Sequence, residues 1–508
     1  MASSSSQGCR AGKRAKKPGK KRRLQRAPKE DYFIQHTDKD MLLLIPNELR
    51  ETVRVVKRVR RTEEDAGGPI TADYGWGSLM PREIIHRIFQ LVVGSEGAVP
   101  TLCRLAQVCH LWHQVAYSPD LWHQVSVSRC WILPTNNDPP NVQNKVKKTI
   151  ETLIQQRLSQ VCDFSIHHWK NHIPLVLQSL SSSCPLLSSL TLGHCSKVTV
   201  DALESVGHHC PHLTSLNLQN CKVDPNAVSR FLSIRGTTLR CLYLTFSSQT
   251  NNIFSLLARG SCPELRLLEV NRGMLEVMKE VHISAEALQA SCPKLEVMRL
   301  LNVIFSLKSK MSSSPESPGF SHLRELCLAT TSFSLISDSM CKRLLRGCAR
   351  LRVLDLRGCY TVTPEGICDL PCTDLECLYL GMYYNEDTFR PILPHTGCCL
   401  LIKRWRHSLQ ELDLTGLNFS DCELSEALGI LCGGGTNDTL QSLSLTGTKV
   451  TAAAVRDLLS SCRALTYLDL TSCRNVPRGL KCAYRGVENI RQCLQTLSSR
   501  MVEEESRA

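Results

Sequence analysis

The sequence predicts an α/β chain in two successive parts, a short group of helices and then a long parallel sheet built from one unit repeated about twelve times. Three observations carry this expectation: apolar residues at helical spacing between 82 and 116, a leucine pattern recurring from 187 to 470, and an acid-free basic start. Hydrophobic residues make up 42% of the 508 and charged residues 21%, a balance that supports a large buried core and excludes a wholly disordered chain. No apolar run reaches the ~18 residues of a membrane helix. The basic start has no apolar segment behind it, so it does not read as a secretory signal. A cytoplasmic or nuclear location, or both, is expected, with no membrane partner.

Residues 1–70 read as a disordered basic leader. Within it, residues 1–29 hold eleven Lys or Arg and no acid, which leaves 50 basic against 47 acidic side chains in the rest of the chain. That remainder is close to neutral, so nucleic acid is expected to bind weakly at most, through the leader alone. Lys13, Arg14, Lys16, Lys17, Lys20, Lys21, Arg22 and Arg23 form short basic blocks of the type read as a nuclear import signal.

From 74 to 128 the texture becomes helical. Pro81 suits a first helical position, where its missing N–H has no partner to lose, and Ile84, Ile85, Ile88, Phe89 and Val92 follow on a wide apolar face. After a Gly-containing loop, Leu102, Leu105, Cys109, Trp112 and Ala116 draw one stripe along a second helix, which Ser118-Pro119-Asp120 ends before Leu121-Trp122. Three short helices of this size bury too little surface to stand alone, so a partner is implied.

The template Leu-x-x-Leu-x-Leu begins at Leu187 and returns at intervals of 24 to 34 residues through Leu465, with a weaker copy at Val161/Phe164/Ile166. This is close to the ~20–29-residue period of leucine-rich repeats. Alternation along each strand sends two leucines inward, and stacked units share one core, with the sheet on the concave side of a right-handed solenoid and helices on the convex side. The array is expected over 141–473 and a C-terminal cap and tail over 474–508. Thr363-Pro364, Asp224-Pro225 and Thr451 mark helix starts.

The chain has 27 cysteines and no Cys-x-x-Cys pair. One set precedes the first Leu of a unit, as at Cys184, Cys210, Cys262, Cys292, Cys348 and Cys462; another follows the strand, as at Cys195, Cys221, Cys359 and Cys473. The repeat phase explains these positions as buried thiols and not as metal ligands. Neither a metal nor a cofactor is expected. The nucleotide, zinc-protease and serine-hydrolase motifs are lacking, so the chain reads as non-catalytic.

The residues between the strand leucines line the concave face, among them Thr191, Asn217, Tyr243, Glu269, Arg299, Cys327, Asp355, Tyr379, Asp413, Ser444 and Asp469. They offer hydrogen bonds and aromatic anchors to a protein ligand, and the acidic C-terminal part favours a basic one. Two insertions interrupt the array. Residues 306–320 carry Ser314-Pro315 and Ser317-Pro318, and residues 382–406 carry Tyr383, Tyr384 and Trp405; either reads as a binding loop or an idle excursion.

The segment Trp76, Leu79, Met80, Pro81, Glu83, Ile84, Ile85, Ile88, Phe89, then Leu102, Leu105, Ala106, Val108, Cys109, Trp112 and Leu121-Trp122, resembles an F-box. It departs in Met80, where Leu is usual, and in a longer loop between helices. With the cysteine-bearing repeats, the chain resembles the F-box and leucine-rich-repeat family over roughly four fifths of its length. The resemblance implies docking to the adaptor Skp1 through Met80, Pro81, Ile84, Ile88, Phe89, Leu105, Val108, Cys109, Trp112 and Trp122. Skp1 would bridge to cullin and RING subunits, while the repeats hold a protein to be ubiquitinated for proteasomal degradation. The alternative is a repeat scaffold that binds a protein or ribonucleoprotein without ubiquitin chemistry.

Overall fold

The computed structural model describes residues 33–36, 41–44, 80–127, 140–272, 280–308, 319–331, 334–382, 395–433 and 437–505. The chain divides into two compact units, Met1–Asp73 and Tyr74–Ala508. In the first, Phe33–His36 and Met41–Leu44 pair as antiparallel strands. This corrects the unstructured leader over these residues: Phe33 and Ile34 stand opposite Leu44 and Leu43, residue types that suit strands or can cover them. The basic block of 13–23, and Trp76 and Leu79, lie outside the described residues.

The second unit opens with α1 (Arg82–Glu96), α2 (Thr101–Leu105) and α3 (His110–Ala116), followed by a 3-10 turn at Pro119–Trp122. The single stripe expected from Leu102 to Ala116 is divided between two helices. Cys109 is extended (φ −157°, ψ 173°) and its Sγ accepts the Trp112 backbone N–H at 3.5 Å, so α3 has its own N-cap. Sequence periodicity ran across this break because the apolar stripe resumes in phase.

Among the described residues the main sheet has fourteen strands, labelled β1 to β14 in chain order. They are β1 (Gln124–Ser126), β2 (Asp163–His167), β3 (Ser189–Gly193), β4 (Ser215–Asn217), β5 (Cys241–Thr245), β6 (Leu267–Asn271) and β7 (Val297–Leu301). Then come β8 (Glu325–Cys327), β9 (Val353–Asp355), β10 (Cys377–Tyr379), β11 (Glu411–Asp413), β12 (Ser442–Ser444), β13 (Tyr467–Asp469) and β14 (Ala483–Arg485). All neighbours are parallel except β13 and β14. Strand β1, inside the helical segment's expected boundary, pairs with β2, so the sheet begins before the first repeat.

The template sets the register. Phe164, Leu190, Leu216, Leu242, Leu268 and Met298 stand side by side, followed by Leu326, Leu354, Leu378, Leu412, Leu443 and Leu468. None of the twelve is more than 2% exposed. Each such side chain contributes ~1.5–3 kcal/mol by leaving water.

Helices return between strands, and at three of them a polar side chain caps the start. The side chains of Thr363, Ser420 and Thr451 accept the N–H of Gly366, Glu423 and Ala454. At Asp224-Pro225 the expectation is off by two residues: the helix is Ala227–Arg235, and Asn226 before it is left-handed at φ 68°. The cysteines fall where the phase argument put them. Cys184, Cys210, Cys292 and Cys462 are helix C-caps, each N–H reaching a carbonyl four residues back. Cys195, Cys221, Cys359 and Cys473 donate Sγ–H to Ile166, Leu192, Leu328 and Leu445 carbonyls in the preceding unit. A thiol is short enough to cap a strand-end carbonyl between stacked units and apolar enough to be buried there.

The insertions resolve in part. Phe305–Leu307 pairs in parallel with Val281–Ile283 in a separate two-stranded sheet, and 309–318 lie outside the described residues. Tyr383 and Tyr384 also lie outside them. Trp405 is no loop anchor: it ends the helix Cys398–Trp405, is fully buried, and its Nε1–H donates to the Cys372 carbonyl at 3.0 Å. Past β14, the helix Val487–Glu505 packs Ile490, Cys493 and Leu497 against the last unit as a cap.

Candidate functional sites on the helical segment and the sheet

The wide apolar face of α1 separates into two stripes. Ile85 and Phe89, four apart, are 1% exposed and fill the interior of the small bundle. Ile84, Ile88 and Leu91, spaced four and three, are 51%, 39% and 62% exposed and share the opposite side of the stripe. Val108, after α2, is 61% exposed. Pro81 is exposed, and Met80, Leu105, Cys109 and Trp112 are partly so. The described residues therefore leave a set of large apolar side chains in water, which is costly unless another polypeptide covers them.

Two residues expected on this surface belong beneath it. Phe89 meets Trp112 edge to face, with ring centroids 5.3 Å apart at 77°, and so supports the indole from inside. Trp122, 2% exposed, donates its Nε1–H to the Ala116 carbonyl at 2.9 Å and ties the 3-10 turn to the end of α3. Both position the surface without forming it. Leu91 is the residue that the sequence reading missed; its i+7 spacing from Ile84 was the available signal.

The open face of the sheet carries the second expected site. In the centre, Arg299 on β7 holds Glu325 on β8 with Nε–Oε1 at 2.5 Å and Nη2–Oε2 at 2.9 Å, and Glu269 on β6 with Nη1–Oε2 at 3.0 Å. Gln219 joins through Nε2 to the other Glu269 oxygen at 2.6 Å. Further along, the Tyr379 hydroxyl donates to Glu411 at 2.5 Å, and the Arg357 guanidinium lies 5.2 Å from the Tyr379 ring centre. Thr191, Asn217, Tyr243 and Ser444 are half-buried on the same face. Burial, with the Cys241 and Glu269 charges next, pushes the Tyr243 hydroxyl above its ordinary range.

The acidic lean expected in the C-terminal part has a different cause. Asp355, Asp413 and Asp469 each accept, through Oδ1, the backbone N–H two residues on, at 3.2, 2.9 and 2.9 Å, and Asn217 does the same for Gln219 at 2.9 Å. This is the local turn that Asx side chains form. Asp355 and Asp413 are only 4% and 7% exposed, and Asp355 also pairs with Arg357 at 2.6 Å and accepts from the Cys327 thiol. These aspartates turn the chain out of its strand, and the sheet face offers little free negative charge through them. Glu325, Glu411 and Tyr467 were missed there, although strand alternation puts the residue before each middle leucine on this face as well; Arg357, also missed, follows the strand and reaches back to Asp355.

No cluster of three His, Cys, Asp or Glu among the described residues has the geometry to hold a metal ion. Among the same residues no helix is long and apolar enough to cross a membrane.

Comparison with known proteins adds two family matches, an F-box-like model over residues 78–128 and a leucine rich repeat model over residues 209–232. Among solved structures, a chain of the Rad7 and Elc1 complex from yeast is similar at 17% identity, with 78% of this chain and 90% of that chain covered and a TM-score of 0.43. A chain of a TLR13–ssRNA13 complex is similar at 16% identity, with 70% of this chain and 52% of that chain covered and a TM-score of 0.36.

Proposed function

We propose that this chain, an F-box and leucine-rich-repeat protein, is the substrate-receiving subunit of a Skp1–cullin–F-box ubiquitin ligase. The observation that carries the reading is the exposed row Ile84, Ile88 and Leu91, with Val108 and the partly exposed Trp112 in the same small bundle. F-box and leucine-rich-repeat modules bind other proteins and carry no catalytic centre. Skp1 covers the apolar row, and cullin and RING subunits join through Skp1. The protein to be ubiquitinated lies on the sheet face, where Asn217, Tyr243, Glu269, Arg299 and Tyr379 are its contacts, with Glu325 and Glu411 beside them.

Each large apolar side chain at the centre of such an interface carries ~2 kcal/mol or more, which is about a thirtyfold change in dissociation constant. Skp1 captured on beads and incubated with the full chain tests this. Wild type is retained, whereas Ile88→Asp and Val108→Asp are not, with thermal unfolding unchanged. Equal retention of wild type and both variants, or no retention of any, excludes Skp1 docking through this row and leaves the repeats acting as a scaffold.

A further inference from the structure

A cavity of about 450 Å³ lies where the F-box meets the first repeat unit. Its F-box wall is Val99, Pro100 and Cys103, with Val127 just past β1. The facing wall belongs to α4 (Pro140–Arg157), which turns Val146, Ile150 and Leu153 toward it. This size is typical of sites that enclose a small molecule.

Two features limit what fits. The first is charge: α4 also supplies Lys145, Lys148 and Arg157 to the lining, and no acidic side chain accompanies them among the described residues. Thr149 and Thr152 add no free polarity, because their hydroxyls donate to the Lys145 and Lys148 carbonyls of the same helix. The second is Trp169, which also lines the cavity. It is 1% exposed, and its Nε1–H meets no acceptor among the described residues. The indole adds a broad apolar surface to the wall, which suits an alkyl chain.

We infer that this cavity binds a single-chain lipid acid, its alkyl chain between the F-box and α4 and its carboxylate toward Lys145 and Lys148, which lie one helical turn apart. Apolar lining and a rim of one sign select a molecule with a long apolar body and one anionic end. A cationic or neutral head on the same chain gains nothing from that rim. Because one wall belongs to the F-box and the other to the repeats, occupancy braces the two against each other.

The test titrates the full chain with a fluorescent anthroyloxy-stearic acid and then displaces it with palmitate, methyl palmitate or hexadecylamine. Saturable binding is expected, with palmitate displacing the probe at a concentration about tenfold lower than the ester or the amine. Thr149→Trp at the exposed mouth and Leu153→Trp in the wall occlude the cavity and weaken the probe about tenfold or more, with thermal unfolding as the check on folding. Lys145→Glu with Lys148→Glu weakens palmitate and leaves the ester unchanged. The inference is overturned by any of three results: no saturable binding, equal potency of the three head groups, or binding that neither tryptophan alters.

Discussion

At the scale of single residues, neighbours in sequence have opposite duties. Ile85 is buried and Ile84 exposed, as are Phe89 and Ile88. Ile85→Ala is expected to destabilise the fold by ~2–5 kcal/mol, read as a lower denaturation midpoint, while Ile84→Ala leaves it almost unchanged. Asp413→Ala removes the acceptor of the Thr415 N–H and should cost ~1–2 kcal/mol. A pure contact role for Asp413 would leave stability intact. The rings of His168 and His194 stack 4.6 Å apart beside His167. Burial, and then His168 and His194, hold His167 below its ordinary range; burial and His168 do the same to His194. The unfolded chain takes up these protons near pH ~6.5 and the folded rings resist them, so stability falls as the pH drops through that value. The melting temperature should decline from pH 7 to 5.5, and His194→Gln should flatten the decline. The sequence showed which residues of the helical segment are apolar. It could not say which of two adjacent isoleucines faces in, because that choice depends on where α3 packs.

At the scale of elements, the repeat was legible because each strand contributes the same inward leucines at the same phase. That phase alone set the register from Phe164 to Leu468. The break at Cys109 was not legible, since nothing in a cysteine announces an N-cap and the stripe continues across it. Strand β1 escaped for another reason: three residues with one buried Val125 give no period to count. The thiols of Cys184, Cys262, Cys292 and Cys348 are pushed up to about 12, by burial first. Cys422 and Cys482 are exposed. Iodoacetamide under native conditions should label Cys422 and Cys482 well ahead of those four, as read by peptide mass spectrometry. Equal labelling would mean that the stacked units open freely. On the sheet face, the Arg299–Glu325 pair could not be foreseen from a ladder that took only one residue per strand, whereas Glu269 and Arg299 were neighbouring rungs of it.

At the scale of the whole molecule, a sheet stacked on its own leucines is joined to a helical segment whose outer row is left uncovered among the described residues. Continuity from β1 into β2 joins the two through backbone hydrogen bonds, so a partner held on the F-box is carried at a set distance from one held on the sheet. The length and order of the two modules were plain in the sequence, since both rest on spacing. The function of the sheet face was not, because side chains that recognise a protein and side chains that shape a turn are of the same types. The most direct measurement is the affinity of purified Skp1 for the full chain, by calorimetry, beside Ile88→Asp and Leu91→Asp. Tight binding of the wild type that each variant weakens by about thirtyfold or more is predicted. Binding that both variants leave unchanged, with the fold intact, would contradict the account.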